Sequence, residues 1–172
     1  MTTNSTTDTA ARPVPDTHRF MGRVEFQNQV RAGLRAAADE GWRELWLADA
    51  SFEDWPLGER VVAQALHDWS QTGRKMFLLA KRYDHLQRTH HRFVSWRVQW
   101  AHIIEARALS ALDASDFPSA VASPQWVLQR LDLERSRGVV SHGAARRVAV
   151  AETLREVWSR ASPAFAASTL GI

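Results

Sequence analysis

The sequence predicts an α/β domain organised around a parallel sheet, because three buried-strand patterns alternate with two helical patterns. The strand patterns are RELWLAD, KMFLLAK and HIIEARA, at residues 43–49, 75–81 and 102–108. The helical patterns, at residues 56–71 and 83–100, lie between them. Such alternation is typical of parallel strands joined by helices that pack on the faces of the sheet.

The segment before the first strand predicts three elements. Residues 1–18 are polar, rich in threonine and nearly without large apolar side chains, so we expect a disordered arm ahead of a single domain at 19–172. A short edge strand is expected at 20–24. Apolar residues at three- and four-residue steps predict a helix over 25–39, which Gly41 is placed to end in the left-handed conformation.

Capping residues indicate where the two inner helices begin. Asp54 is a good N-cap for a helix that carries Pro56 in its first turn. Asp84 can cap the second helix in the same way. These residues predict two continuous helices, one before the strand at 75–81 and one before the strand at 102–108.

The pattern changes after residue 108. A turn-rich stretch is followed by three short strand patterns at 120–122, 126–131 and 138–141, which predict an antiparallel addition to the sheet. Apolar residues at helical spacing predict a last helix that follows Gly143 and runs to about residue 161, and Pro163 bars its continuation.

Composition excludes several classes of protein. A chain of 172 residues without cysteine has no disulfide framework and no thiolate metal site. No apolar run reaches the roughly 18 residues that span a bilayer, and no signal peptide is recognisable at the N-terminus. We therefore expect a cytoplasmic protein without membrane insertion, and nothing in the sequence calls for a cofactor.

Charge is distributed unevenly along the chain. Residues 39–68 hold eight acidic and two basic residues, whereas residues 74–107 hold eight basic and two acidic ones. The basic segment is a candidate surface for phosphates or for an acidic partner. The alternative is that the two segments neutralise each other across neighbouring elements.

Known catalytic and phosphate-binding motifs are absent. The sequence has no GxGxxG, GxxxxGK[ST], GxSxG or HExxH. His90 and His91 are adjacent, so on a helix their rings point about 100° apart and do not form an i, i+4 metal pair. We expect one of them to be buried and the other exposed, and we predict no metal site.

Four stretches of the chain resemble the phospholipase-D-like fold. They are ELWLAD, DWPLGERVVAQALHDW, KMFLLAKRYDHL and HRFVSWRVQWAHIIEAR, and the ending LREVWSRASPAFAASTLGI is similar to that of an uncharacterised bacterial family with one such domain. The resemblance implies a sandwich with a mixed, mainly parallel sheet and helices on both faces. It also implies pairing, as a homodimer or with another protein, because such domains usually work in twos.

The chain departs from the family at its catalytic motif. Phospholipase-D-type enzymes use HxKxxxxD, in which the histidine attacks phosphorus and the lysine neutralises phosphoryl oxygens. No histidine here is followed two places later by lysine. His90 has Arg92 at that place, but Arg97 occupies the position of the aspartate. No catalytic residue is therefore assigned.

Candidate ligand-binding residues follow from the rule that open parallel sheets bind ligands beyond the carboxyl ends of their strands. The candidates are Asp49, Lys81, Arg82, His85 and His91. A cluster of arginine, lysine and histidine there could hold a phosphate or a nucleic-acid backbone. The alternative is that Asp49 caps a loop or pairs with Lys81 or Arg82.

Eight tryptophans are many for this length. Four of them fit core stripes, whereas Trp42, Trp55, Trp100 and Trp126 lie at element ends. Exposed rings there could stack on bases, and the alternative is a tryptophan-rich core.

The leading hypothesis is a non-catalytic recognition or interaction domain. Two alternatives stay open. One is a protein that binds the phosphate backbone of nucleic acids through residues 74–107. The other is a phosphodiesterase-type hydrolase with non-standard residues.

Overall fold

The computed structural model describes residues 16–71 and 73–167. Residues 1–15 of the predicted arm lie outside the described part of the chain, whereas Thr17 and His18 belong to a strand that ends at Phe20. A helix begins at Arg23, so the edge strand predicted at 20–24 is wrong. In chain order the elements are β1 (Thr17–Phe20), α1 (Arg23–Glu40), β2 (Glu44–Asp49), α2 (Arg60–Trp69), β3 (Lys75–Ala80), α3 (Asp84–Thr89), α4 (His91–Gln99), β4 (Ile104–Ala108), β5 (Ser119–Ala122), β6 (Val127–Asp132), β7 (Arg137–Ser141), α5 (Ala144–Arg160) and β8 (Ser162–Pro163).

The strands form one open mixed sheet in the order β1-β7-β6-β5-β2-β3-β4-β8. β2, β3 and β4 are parallel, as predicted. The other five pairings of the described strands are antiparallel, so the prediction of a mainly parallel sheet is wrong. The reason is local: β5, β6 and β7 are joined by connections of four residues, too short for the crossover that parallel strands need. The sandwich arrangement stays a prediction.

Helices pack on both faces of the sheet, because alternate residues of the central strands point in opposite directions. Leu45 and Leu47 of β2 face a core that they share with α1, α2 and α4. Trp46 and Ala48 face a smaller core that they share with α5. The prediction of helices on both faces is therefore confirmed.

The end of α1 agrees with the sequence, but the start of α2 does not. Gly41 has φ 68° and its N–H bonds to the carbonyl of Ala37, as expected of a left-handed cap. α2 begins at Arg60 after Glu59, without a side-chain cap, so the prediction that Asp54 caps it is wrong. The carboxylate of Asp54 instead pairs with arginines from α1 and β6.

The helix predicted over residues 83–100 is interrupted at His90, which has φ −103° and ψ 58°. The His90 Nε2 lies 3.0 Å from the carbonyl oxygen of Phe52, and this contact holds the break against the loop that follows β2. Asp84 is the first residue of α3 and makes no capping bond, so the prediction of that cap is also wrong. Its carboxylate accepts a hydrogen bond from Arg88.

The predicted antiparallel addition is confirmed, and one glycine is required within it. A Cβ on Gly138 of β7 would overlap the carbonyl oxygen of Gln129 and the ring of Phe20. Glycine therefore lets β1 close onto β7, where Phe20 pairs with Gly138. At the opposite edge, the two-residue β8 pairs with the end of β4.

Candidate nucleic-acid interface

The predicted site lies at the carboxyl edge of the parallel strands. Asp49, the last residue of β2, is in register with Ala80, the last residue of β3. The backbone N–H groups of Lys81 and Arg82 both donate to the carbonyl of Ala50, at 3.1 Å. The two loops are therefore joined, and the predicted residues emerge at one edge.

Asp49 is part of a buried ion pair. Its Oδ1 lies 2.9 Å from Nη2 of Arg130, and the two side chains are 6% and 4% exposed. Its Oδ2 accepts the backbone N–H groups of Ser51 at 3.1 Å and Phe52 at 2.8 Å. Asp49 thus caps its loop, as one alternative held, but its charge partner is Arg130 rather than Lys81 or Arg82.

Arg130 is a residue that sequence reasoning missed. Its Nη1 lies 3.3 Å from Oδ2 of Asp54, and its Nε donates to Oγ of Ser119 at 3.1 Å. The guanidinium carbon lies 4.2 Å from the ring centroid of Phe26. The sequence did contain a signal, since an arginine at a core-facing position of an apolar strand requires a charge partner.

Lys81 is engaged within the protein. Its Nζ donates to the carbonyl oxygens of Ser110 and Leu112, both at 2.7 Å. The ammonium therefore holds the loop that follows β4 against the end of β3. It would have to leave both carbonyls to bind a ligand.

The other three candidates belong to an exposed surface that we call the α3–α4 basic surface, defined by Arg82, His85, Arg88, His91 and Arg92. Its three arginines and His91 are exposed, whereas His85 is half-buried. Asp84 lies 4.0 Å from Nε of Arg82 and 3.1 Å from Nη2 of Arg88, so one carboxylate serves two arginines. Three arginines less one aspartate leave a net charge of +2.

A shallow groove of about 350 Å³ continues this surface between α2 and α4. Its lining includes His67, His91, Arg92 and Gln99. The Nη1 of Arg92 donates to the carbonyl of Gly58 at 2.9 Å, so its position is fixed while its charge stays exposed.

The two adjacent histidines differ as expected, with His90 buried and His91 exposed. Because the carbonyl of Phe52 can only accept, Nε2 of His90 donates to it. Burial lowers the pKa of His90 below its ordinary value, and the bond to Phe52 opposes this in part. His90 is therefore a neutral structural residue.

The acidic segment does not neutralise the basic one. Its carboxylates pair with Arg23, Arg31 and Arg35 of α1 and with Arg130. Among the ion pairs of the described residues, none joins residues 39–68 to residues 74–107. The expectation of mutual neutralisation is wrong, because α1 packs beside α2 and supplies the counter-charges.

The basic segment is nevertheless not one continuous patch. Lys75 begins β3, at the opposite end of the sheet from Arg82, and pairs with Glu105 at 2.6 Å. Arg97 is buried, and the guanidinium carbon of Arg107 lies 4.6 Å from the ring centroid of Trp158. The exposed charge of the segment is concentrated on the α3–α4 basic surface.

The tryptophans at element ends are not free platforms for bases. Trp42, Trp55 and Trp126 are buried, and Trp100 is half-buried. The ring of Trp42 packs against that of Trp126, with centroids 6.0 Å apart. The alternative of a tryptophan-rich core is therefore confirmed for these residues.

The described residues contain neither a cluster of metal ligands nor a membrane-spanning helix. Within residues 16–71 and 73–167, no group of three or more histidine, aspartate or glutamate side chains is arranged to hold a metal ion. In the same part of the chain, no helix combines the length and apolar character needed to cross a bilayer.

Comparison with solved structures shows the fold class, which is that of phospholipase-D-family proteins. Nuc from Salmonella typhimurium, a phospholipase D family member, has a TM-score of 0.56 at 10% identity, covering 87% of this chain and 99% of its own. NucT from Helicobacter pylori has a TM-score of 0.55 at 9% identity, covering 86% and 98%.

TrmBL2, an archaeal chromatin protein whose structure shows a novel mode of DNA binding, is also similar. Its TM-score is 0.64 at 20% identity, and the match covers 92% of this chain but 57% of the TrmBL2 chain. No protein-family model and no curated protein matches the sequence. The likeness is therefore one of fold.

Proposed function

We propose that this protein is a non-catalytic recognition domain with a phospholipase-D-like fold, and that its ligand is the phosphate backbone of a nucleic acid. The α3–α4 basic surface is the binding surface. Arg82, Arg88 and Arg92 make the charged contacts, and His85 and His91 donate hydrogen bonds beside them.

One observation carries this proposal: the α3–α4 basic surface has more exposed arginines than carboxylates to neutralise them. Asp84 is shared by Arg82 and Arg88, and the acidic segment that could have covered the surface is occupied by α1 and Arg130. An exposed surface with uncompensated arginines attracts polyanions and makes bidentate contacts with phosphate oxygens. TrmBL2, which shares the fold, is described as a DNA-binding protein, and this supports the same ligand class.

The geometry favours binding to phosphates over reading of bases. The tryptophans that could stack on unpaired bases are buried or half-buried, so the surface offers no aromatic platform of the kind that single-strand binders use. Contacts to phosphates position a protein on nucleic acid without reading its sequence. We therefore expect similar affinity for duplexes of different sequence.

The test is binding to a labelled 20-base-pair duplex at low salt, followed by fluorescence anisotropy. The variant Arg88→Gln/Arg92→Gln removes two charges from the α3–α4 basic surface. The matched control Arg155→Gln/Arg160→Gln removes two exposed charges from α5, on the other face of the sheet. We expect the first variant to weaken binding at least tenfold and the control to stay near wild type. Equal losses of affinity in both variants would show that binding depends on net charge alone. That result would contradict the assignment of binding to the α3–α4 basic surface.

The non-catalytic part of the proposal is tested separately. Wild-type protein incubated with a chromogenic phosphodiester and with the same duplex is expected to give no product above background. Turnover that is lost on His85→Asn or His91→Asn would contradict it and establish the hydrolase alternative.

Pairing with a second copy is a second candidate, and the β1 edge favours it. Among the described strands, β1 is the outermost at its end of the sheet and pairs with β7 alone. Met21 and Leu131 beside it are 69% and 61% exposed. A two-fold dimer would add strand to strand across this edge. Sedimentation of Met21→Glu against wild type tests it: we expect a dimer that the variant dissociates, and a monomeric wild type would refute pairing.

A further inference from the structure

Arg97 of α4 is a buried arginine that has no charge partner within residues 16–71 and 73–167. It is 6% exposed, and its Nε and Nη1 have no hydrogen-bond partner among the described residues. Its Nη2 makes one bond, a long one of 3.3 Å, to the carbonyl of Phe165. No carboxylate of the described residues lies within ion-pair distance of it. A guanidinium in such a place lacks the acceptors that buried charges require.

The electrostatic state of Arg97 agrees with this description. Burial lowers the pKa of Arg97 below its ordinary value. The Tyr83 hydroxyl is itself buried, its pKa is raised by burial, and it donates to the carbonyl of Arg107 at 2.8 Å. Tyr83 is therefore neutral and supplies no counter-charge.

A cavity of about 500 Å³ lies beside Arg97 at the edge of the sheet where β4 meets β8. Its lining includes Arg97, Glu105, Arg107 and Phe165. Glu105 does not neutralise Arg97, because its Oε1 pairs with Nζ of Lys75 at 2.6 Å. The cavity thus offers one unpaired guanidinium, that of Arg97, because the guanidinium of Arg107 packs on the ring of Trp158.

Residues 162–166 form a strap over the guanidinium. The strap is held to β4 by two residue pairs and by the N–H of Ala164, which donates to the carbonyl of Ala106 at 3.0 Å. Phe165 has φ 50°, which is strained for an aromatic residue, and its ring stacks on Tyr83 with centroids 5.0 Å apart. The strained strap provides Nη2 with its one acceptor among the described residues, at the long distance of 3.3 Å, so a better acceptor can compete with the Phe165 carbonyl for this donor.

We propose that this cavity is a binding site for a small oxyanion, a carboxylate or a phosphate group, held by the guanidinium fork of Arg97. The ligand takes the place of the Phe165 carbonyl at Nη2 and gives a second oxygen to Nη1 or Nε. Such bidentate contacts are the strongest that arginine makes. This site is separate from the α3–α4 basic surface and does not depend on the proposed function.

Calorimetric titration of the full chain with sodium phosphate and with sodium acetate, at constant ionic strength set by sodium chloride, tests the proposal. We expect saturable binding of one equivalent. Binding of phosphate but not of acetate identifies a phosphate group as the ligand. Binding of acetate but not of phosphate identifies a carboxylate. Arg97→Met should abolish the binding, whereas the control Arg74→Met should keep it, because Arg74 is partly buried and bonds to the carbonyl of Trp69, away from the cavity.

Thermal unfolding without added anion gives a second, independent readout. Because Arg97→Met removes a buried charge without a partner, it should unfold at the same temperature as wild type or higher. Added ligand should raise the wild-type midpoint and leave that of the variant unchanged. The proposal is overturned if wild type binds neither anion up to roughly 0.15 M, or if Arg97→Met still binds. It is also overturned if the ligand-free variant melts well below wild type, since Arg97 would then have a partner within the protein.

Discussion

Replacing Arg130 with methionine should destabilise the protein more than any other change of an ion pair in it. Methionine keeps part of the Arg130 stem but removes the guanidinium that lies over the Phe26 ring, and it leaves the Asp49 carboxylate buried without its charge partner. Two backbone N–H groups still bond to Asp49, so that carboxylate loses its counter-charge while keeping part of its hydrogen bonding. Breaking a buried ion pair on one side costs about 3–5 kcal/mol.

The assay is urea unfolding followed by tryptophan fluorescence, which reports on the buried indoles. A loss of that size should lower the midpoint of thermal unfolding by about 6–20 °C for a chain of this length. The double variant Asp49→Asn/Arg130→Met removes both charges and should recover part of the loss. Arg35→Met, which breaks the exposed pairs with Asp39 and Asp68, should cost much less than Arg130→Met because solvent screens exposed pairs. If Arg130→Met costs no more than Arg35→Met, the interpretation of this pair as a structural element is refuted.

Two further predictions concern stability. Because the pKa of His90 is lowered on folding, the unfolded chain binds more protons below about pH 6.5, and stability should fall as the pH falls from there towards the folded-state pKa. His90→Gln, which can still donate to Phe52, should flatten this dependence in urea unfolding at a series of pH values. His91→Gln should not, and a slope unchanged by the first variant would refute the role of His90. Gly138→Ala forces a Cβ against the Gln129 carbonyl and should cost about 1–3 kcal/mol in thermal unfolding. Wild-type stability in that variant would show that β1 and β7 are not packed as described.

The central parallel strands could be predicted because their apolar runs are local signals. Leu45 to Ala48 are buried from both sides, and such strands appear in the sequence as uninterrupted apolar stretches. The short strands after residue 108 were recognised for the same reason, together with their turn residues. Their position beside β2 was not predictable, because strand order depends on contacts between distant parts of the chain.

The misplaced helix boundaries have the same cause. Asp54 is a residue type that often caps helices, but its carboxylate pairs with Arg130, which lies 76 residues later in the chain. The break at His90 depends on the carbonyl of Phe52, 38 residues earlier. The burial of Arg97 was not predicted either, although its position four residues after Phe93 places it on the apolar face of its helix.

Within the candidate site, local sequence predicted that the residues lie at the carboxyl ends of the parallel strands, but it did not predict their partners. Asp49 and Lys81 have the side chains of a ligand site, yet one is neutralised by Arg130 and the other by two carbonyl oxygens. Arg82 and His91 stay exposed. Which charges remain free is a property of the packed molecule, because it depends on how α1 and β6 lie against the loop after β2.

The salt dependence of duplex binding tests the central claim most directly. The logarithm of the binding constant should fall linearly with the logarithm of salt concentration, by about 0.9 per phosphate neutralised, so three arginine contacts predict a slope near −3. Removing Arg88 and Arg92 should reduce the slope by about one unit each. A measurable slope that these substitutions reduce in this way supports phosphate recognition by the α3–α4 basic surface. Binding that ignores salt, or a slope that the substitutions leave unchanged, contradicts it.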